Sequence, residues 1–311
     1  MLSVVGGYGE GLTMRVGRAP RAGETVNGGV LSSSHGGKGS NQAVAAARMG
    51  ADVTIVTALG DDAQASAARE FWATEGIADR SITVEGSRTM VGFIVVEEGG
   101  ENRIVIADGA LQALTADDID GAAETLTTSS AVLVSLEIAR GAAARALEVA
   151  SAAGVPTILN PSPADVAVRS LLADVDVLIP NLGELATIVG EPPPSSPAEI
   201  DRCCELLRDV FPGTLVLTLG AGGVLVDDGR GRRRMPAFPA RTVDTTGAGD
   251  AFAGVFAAMW SPGEPVHDAV EAAAAAGALA VEGEEVIPAL PHRARVEELV
   301  GIEREDSRWS R

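Results

Sequence analysis

"AVLVSLEIARGAAARALEVASAAGVPTIL", Ala131 to Leu159, carries the pattern that decides the fold. Its opening run, Ala131–Leu136, is apolar, too short for a helix and without clean alternation. Gly141–Ala153 then spaces alanine, leucine and valine at the helical period, and Thr157–Leu159 is a second short apolar run. A strand covered on both faces reads as an unbroken apolar segment, and two such strands joined through a helix run parallel. The unit repeats in both directions. Val53–Leu59, Val175–Ile179 and Leu215–Leu219 are further short apolar runs, and "MLSVVGG" leads the chain into a strand. Gln42–Met49 and the alanine run near Ala272 are helical segments between them. Strands alternating with helices predict an α/β fold: a doubly wound, mostly parallel sheet with helices on both faces.

Two stretches break this pattern. Residues from about Leu12 to Leu31 and from about Arg88 to Ile106 contain β-like segments with no helix between them. "MVGFIVVEEGGENRIVI" predicts a hairpin turning at Glu98–Asn102. These stretches predict a small β-sheet lid, inserted from about 12–31 and 88–106 into a single domain spanning 1–311. An open sheet face with a free edge predicts a homodimer through the lid.

Composition narrows the function. Lys and Arg number 24 against 43 Asp and Glu, a formal charge of −19, so the surface repels nucleic acid and anionic membranes. No apolar run reaches membrane-spanning length, and the N-terminus lacks a basic region and signal-peptide core. The two cysteines, Cys203 and Cys204, are adjacent, a poor crosslink without metal-ligand spacing, which predicts reduced thiols and a cytoplasmic protein. "EPPPSSPAE" (Glu191 to Glu199) reads as a loop.

Three glycine-rich stretches compete to bind phosphate. "VVGGYGEG" is not G-x-G-x-x-G and no helical segment follows it, so it is no dinucleotide fingerprint. "GGKGSN" is not a Walker A motif, because Ser40 does not directly follow Lys38. Lys38 is nevertheless the single lysine of the chain. The third, "VDTTGAGDAFAGVFAAMW" (Val243 to Trp260), sets Gly247, Ala248 and Gly249 before a strongly apolar helix with Asp250 in its first turn. Backbone amides at a helix N-terminus form an anion hole. A carboxylate there either interacts with the helix dipole or takes a proton from an attacking hydroxyl; with the anion hole beside it, the pair suits phosphoryl transfer.

At these residues the sequence resembles the ribokinase-like carbohydrate kinases, the PfkB family. "GETV" (Gly23 to Val26), "GGKGSNQAVAAARMGADV", "GENRIVI", "LNPSPA", "IPNLGELATIVG", "LTLGAGGV" and "DTTGAGDAF" follow one another in the family's order over nearly the whole chain. The resemblance implies an ATP-dependent kinase with Mg²⁺ and K⁺, acting on a small sugar. It implies Asp250 as catalytic base, with Gly247, Ala248 and Gly249 as the anion hole. It places Gly36, Gly37, Lys38, Asn41 and Glu137 in the sugar site. Asn181 and Glu184 match an N-x-x-E element that organises Mg²⁺ through water, with a helix cap as the plain alternative. Thr218, Gly220 and Gly222 match the ATP-site loop, and Asp244 a residue near a monovalent cation.

The departures bear on the substrate. The family's first strand carries an asparagine and, two positions on, an aspartate that grips the sugar diol; here those positions are Gly9 and Gly11, flanking Glu10. The usual G-A-N is Gly109-Ala110-Leu111, and the later K-G-A is Glu284-Glu285-Val286. Loss of side chains and charge beside the sugar predicts a C1-substituted furanose, ribose 1-phosphate or a nucleoside, phosphorylated at its primary hydroxyl. Arg15, Arg88 and Arg103, all in lid segments, are candidates to pair with a substrate phosphate. Free ribose is the alternative substrate. A catalytically silent sugar- or nucleotide-binding protein is the alternative of another class, and the intact Asp250 with its anion hole speaks against it.

Overall fold

The computed structural model describes residues 1–99 and 101–303. Its strands in chain order are β1 (Leu2–Val5), β2 (Gly9–Val16), β3 (Val30–Gly36), β4 (Val53–Val56), β5 (Ala58–Gly60), β6 (Ala78–Asp79), β7 (Ile82–Val84), β8 (Met90–Glu97) and β9 (Asn102–Ala107). The second half adds β10 (Ala131–Ser135), β11 (Thr157–Asn160), β12 (Val177–Leu178), β13 (Thr214–Thr218), β14 (Val224–Asp227) and β15 (Arg232–Met235). The helices are α1 (Lys38–Arg48), α2 (Ala63–Thr74), α3 (Ala116–Gly121), α4 (Ala123–Thr127), α5 (Arg140–Ala152), α6 (Leu182–Val189), α7 (Pro197–Arg208), α8 (Ala248–Met259), α9 (His267–Ala280), α10 (Val286–Ala289) and α11 (Arg293–Glu303).

Nine strands form the main sheet in the order β15-β14-β13-β12-β11-β10-β1-β4-β6. It is parallel from β13 to β6, and β14 and β15 close one edge antiparallel. Residues along each strand alternate between two cores. Val4, Ile55, Leu133, Ile158 and Val216 pack with α1, α8 and α9 on one face. Val5, Val56, Val132, Val134, Leu159 and Leu217 pack with α3 to α7 on the other. Both faces being covered is why the runs lack polar alternation, and the doubly wound α/β reading holds.

The chain leaves β1 toward β4 on one side and returns at β10 on the other. Such a switch point opens a crevice at the carboxyl ends of the two strands. Gly6-Gly7 follows β1 and Glu137 follows β10, so this crevice lies among sequence-predicted site residues.

The small sheet has the order β3-β2-β8-β9, with β2 and β8 parallel and the outer pairs antiparallel. It begins earlier and ends later than 12–31 implies, because Gly9 pairs with both Gly36 and Met90. Gly9 and Gly11 thus stand on the lid strand β2 and not on the first strand of the main sheet. The hairpin joins β8 to β9, with Glu97 donating its amide to the Glu101 carbonyl, and position 100 of its turn lies outside the described residues. The loop read over 191–199 ends at Ser196, which caps α7 in a reciprocal box with Glu199 after Pro197 starts the helix. Both cysteines are buried on α7 and free.

Helix α1 crosses α8 at close range. A Cβ at Gly254 would lie 2.2 Å from the Gln42 carbonyl oxygen and 2.8 Å from the Ala45 methyl. Gly254→Val therefore forces the two helices apart. We expect a loss of about 1–3 kcal/mol in urea unfolding, the usual cost of overpacking a core. An unchanged midpoint would show that this contact does not constrain the packing.

Candidate active site

Helix α8 starts at Gly247, which has φ of 81° and no side-chain cap. A Cβ there would meet Val286 Cγ1 at 2.4 Å, so the turn accepts only glycine. The amides of the first turn are left for an anion, at the positive end of a twelve-residue helix. Asp250 follows in that turn and is only 5% exposed.

Its carboxylate is held from α1. Asn41 Nδ2 donates to Oδ2 at 2.9 Å, and Gln42 Nε2 donates to Oδ1 at 3.1 Å. Gln42 also donates to Asn160 Oδ1 at 3.0 Å, and Asn160 Nδ2 donates to the Ile179 carbonyl at 2.9 Å. Both oxygens of the candidate base are therefore anchored to groups outside its own helix.

Lys38 opens α1. Its backbone N–H donates to Glu137 Oε2 at 2.6 Å. Burial pulls the ammonium toward neutrality, but the carboxylates of Asp250, Glu137 and Glu184 outweigh it and hold the pKa above its ordinary value. Glu137 shows the opposite result: desolvation first, then the Asp250 charge, push its carboxyl up to about 7 despite Lys38. Glu184 is also raised, mainly by desolvation, against bonds from the Asn181 amide and Ser162 hydroxyl. One ammonium thus faces three carboxyl groups, a field that favours further cations.

Asn181 and Glu184 form a reciprocal capping box on α6, each side chain accepting the other's amide at 2.9 Å. The cap is one role of this pair; the electrostatic coupling of Glu184 to Lys38 and Asp250 turns it toward the site as well. Thr218 lies beside Asn181 through a parallel bridge, and Gly220–Gly222 forms a short 3-10 turn after β13. Asp244 Oδ1 accepts from the amide and hydroxyl of Thr246 at 2.9 and 2.7 Å, bracing the loop into α8. Among the described residues no three histidine, cysteine or acidic side chains gather as a metal cage. Without such a cage, a divalent ion here would be held chiefly by substrate and water oxygens, and Glu184 is the residue that could orient it.

The sugar-side residues are arranged less openly than their glycines suggest. The space a side chain at Gly9 would fill holds Met90 Sδ, 2.3 Å from the Cβ position. At Gly11 the nearest atom is Ser34 Oγ, at 3.2 Å. Glu10 lies on β2 opposite His35. The lid arginines are not gathered together. Arg88 stands 3.6 Å from Asp62, Arg103 stands 3.0 Å from Glu97, and Arg15 is exposed on β2. Gly36 ends β3 and Gly37 precedes α1, both beside Lys38.

Several residues at the site carry no role in the sequence reading. Gln42 and Asn160 lie inside quoted motifs; an amide amid the alanines of α1 was the available signal for Gln42, whereas Asn160 ends β11. Tyr8 donates to or accepts from His35 Nδ1 at 2.8 Å, and His35 stacks on Phe71 with ring centroids 4.2 Å apart. Trp72 Nε1 donates to Ser40 Oγ at 2.9 Å. This cluster ties the lid strands to α1 and α2, and only tertiary contact reveals it.

A doubly wound sheet with a β lid, a buried carboxylate in the first turn of an uncapped helix and a lone half-buried lysine are the features of a phosphotransferase acting on an alcohol. The family model for the pfkB family carbohydrate kinases matches residues 8–293, and the chain belongs to that family. It is 31% identical over 293 residues to a ribokinase of Haemophilus influenzae, covering 94% of this chain and 95% of that one. A deoxyribokinase of Salmonella typhi is 31% identical over 287 residues, 91% and 92% of the two chains. The structure of Arabidopsis thaliana ribokinase complexed with ribose and ATP superimposes with a TM-score of 0.90 at 29% identity, covering 96% and 98%. The protein is a sugar kinase of the ribokinase and deoxyribokinase type. Among the described residues no helix is long and apolar enough to cross a membrane.

The raised Glu137 pKa gives a pH test. Unfolded, the carboxyl ionises near its ordinary 4.5; folded, near 7. The folded state binds the proton more tightly, so the stability this provides is complete below 4.5 and lost as pH rises through about 7. Relative to the native chain, Glu137→Gln should gain up to about 3 kcal/mol between those limits. Denaturant unfolding of both proteins at acid and mildly alkaline pH measures it, and a constant difference would mean Glu137 has ordinary acidity.

Proposed function

We propose that the protein transfers the γ-phosphate of ATP to the primary hydroxyl of a ribose-like furanose. The observation that carries this is Asp250, buried, held by two amide donors, and set in the first turn of a helix whose amides are uncapped. Asp250 takes the hydroxyl proton as the sugar oxygen attacks the γ-phosphorus, and the bond to the leaving ADP breaks. The amides at Gly247, Ala248 and Gly249 receive the charge on the transferred group. Lys38 and Asn41 orient the sugar, and Thr218, Gly220 and Gly222 line the nucleotide. Glu184 would orient a bound Mg²⁺ through water, and the ion would supply neutralisation of the phosphate charge. Asp244 and the carbonyls around it are the proposed place of a K⁺ ion, tested by comparing turnover in K⁺, Na⁺ and cation-free buffer; equal rates would discard it.

Free ribose is the acceptor the geometry supports best. Glu137 would repel a phosphate at C1, and Arg88 and Arg103 already face carboxylates of their own. The C1-substituted reading keeps one specific support: Gly9 and Gly11 present no carboxylate, whose repulsion of a phosphate some 4 Å away is worth about 1–4 kcal/mol. Under that reading Arg15, Arg88 and Arg103 leave their present surroundings to meet the substrate. A homodimer is proposed through the lid, where Val30 and Leu31 on the edge strand β3 and Ile104, Val105 and Ile106 on the edge strand β9 are exposed; a monomer in light scattering would remove it. A cytoplasmic location accords with these substrates and with the two free thiols.

Asp250→Asn should bind sugar and ATP nearly as the native chain does while kcat falls on the order of 10²–10⁴-fold, the usual worth of a general base. A kcat near the native one would take Asp250 out of the mechanism. For the acceptor, kcat/KM compared over ribose, deoxyribose, ribose 1-phosphate, nucleosides and hexoses should be highest for a free pentose. A higher value for ribose 1-phosphate or a nucleoside, with Gly11→Asp shifting preference back to ribose, would establish the C1-substituted reading instead.

A further inference from the structure

We propose that Gln42, locked by Asn160, is the positioning residue of the base Asp250, so that the aim of the base is set by the main sheet and not by α8 alone. The inference rests on Asp250 acting as proposed above.

The orientation of each amide follows from its partners. A backbone carbonyl only accepts, so the Asn160 atom 2.9 Å from the Ile179 oxygen is its NH₂ group. Asn160 must then turn its oxygen to Gln42, at 3.0 Å. That oxygen also only accepts, so Gln42 presents its NH₂, and the second hydrogen of the same nitrogen meets Asp250 Oδ1 at 3.1 Å. The chain of bonds runs from the peptide after β12, through the end of β11, to the carboxylate. No alternative flip of either amide satisfies all three contacts.

The burial of these groups argues against a filler role. Gln42 is fully buried, and its Oε1 has no partner. Leaving a buried acceptor unpaired is unfavourable, and an apolar side chain of the same size would avoid it. What the amide adds is its two N–H bonds, one to Asn160 and one to the base. Gln42 meets the carboxylate at Oδ1, and Asn41, its neighbour in the chain, meets it at Oδ2. The carboxylate is gripped at both oxygens, which limits its rotation to the orientation in which it meets the acceptor hydroxyl. A small misplacement of such a group costs rate more than affinity.

The test is steady-state kinetics of the full chain with ATP and ribose, or the acceptor that the panel above selects. Gln42→Met keeps the volume and removes both donors; kcat should fall on the order of 10–100-fold with both KM values within about threefold. Asn160→Leu should lower kcat less, and the double variant should be no slower than Gln42→Met, because Asn160 acts through Gln42. A kcat for Gln42→Met within about twofold of native, or losses that add in the double variant, would overturn the relay. So would a rise in KM parallel to the loss in kcat together with a lowered melting temperature, which marks a general structural defect. If Gln42→Met does not fold, Asn160→Leu alone decides, by lowering kcat at constant KM or failing to. Asp250→Asn is run alongside. Its full activity would show that the base assignment is at fault, whereas its inactivity beside an active Gln42→Met refutes only the relay.

Discussion

The close crossing of α1 over α8 is the contact on which the site depends. At Gly254 the two helices meet backbone to backbone, near enough that the Gln42 carbonyl occupies the place of a side chain. That approach brings the amides of Asn41 and Gln42 within hydrogen-bond range of Asp250, although more than two hundred residues separate them in the chain. It also sets the N-termini of both helices at one end of the sheet. Lys38, in the first turn of α1, consequently shares an electrostatic field with Asp250 from α8 and Glu184 from α6.

Charge at this place is unbalanced by construction. Three carboxyl groups and one ammonium are held in partly desolvated surroundings, and the response is unequal: Lys38 stays charged while Glu137 titrates near neutrality. Such a field is unfavourable by itself and favours the approach of cations. Asp250 shares the first turn of α8 with the uncapped amides, so the acidic group and the anion-accepting amides adjoin one another.

The lid joins the main sheet through short connections whose geometry is set by packing. Gly7 leads directly from the crevice into β2, and Gly36-Gly37 leads from β3 into α1. The Tyr8, His35, Phe71 and Trp72 cluster packs across these junctions. Movement of the lid would therefore be felt at Lys38 and Ser40, the latter bonded to Trp72. Met90, Gly9's partner on the adjacent strand β8, fills the space beside Gly9, so the absence of a side chain there is offset by another from the paired strand.

How much was legible from sequence differs by element. The apolar runs at Ala131–Leu136 and Leu215–Leu219 identified strands covered on both faces, because burial on two sides removes polar alternation whatever the neighbours are. The turn "GAG" before Asp250 was legible for a similar local reason: a helix start without large side chains exposes amides. Boundaries that rest on pairing were not legible. Gly9 belongs to the lid because Gly36 and Met90 pair with it, and nothing in residues 1–16 states that. Nor could the sequence show that Gly9 is filled by Met90, that Arg88 and Arg103 meet Asp62 and Glu97, or that Asn160 and Gln42 bond in series to Asp250. Local propensity and patterning follow from each residue's own chemistry and that of its near neighbours. Which amide meets which carboxylate depends on how two helices and a sheet settle against one another, and that is decided only when the chain has folded.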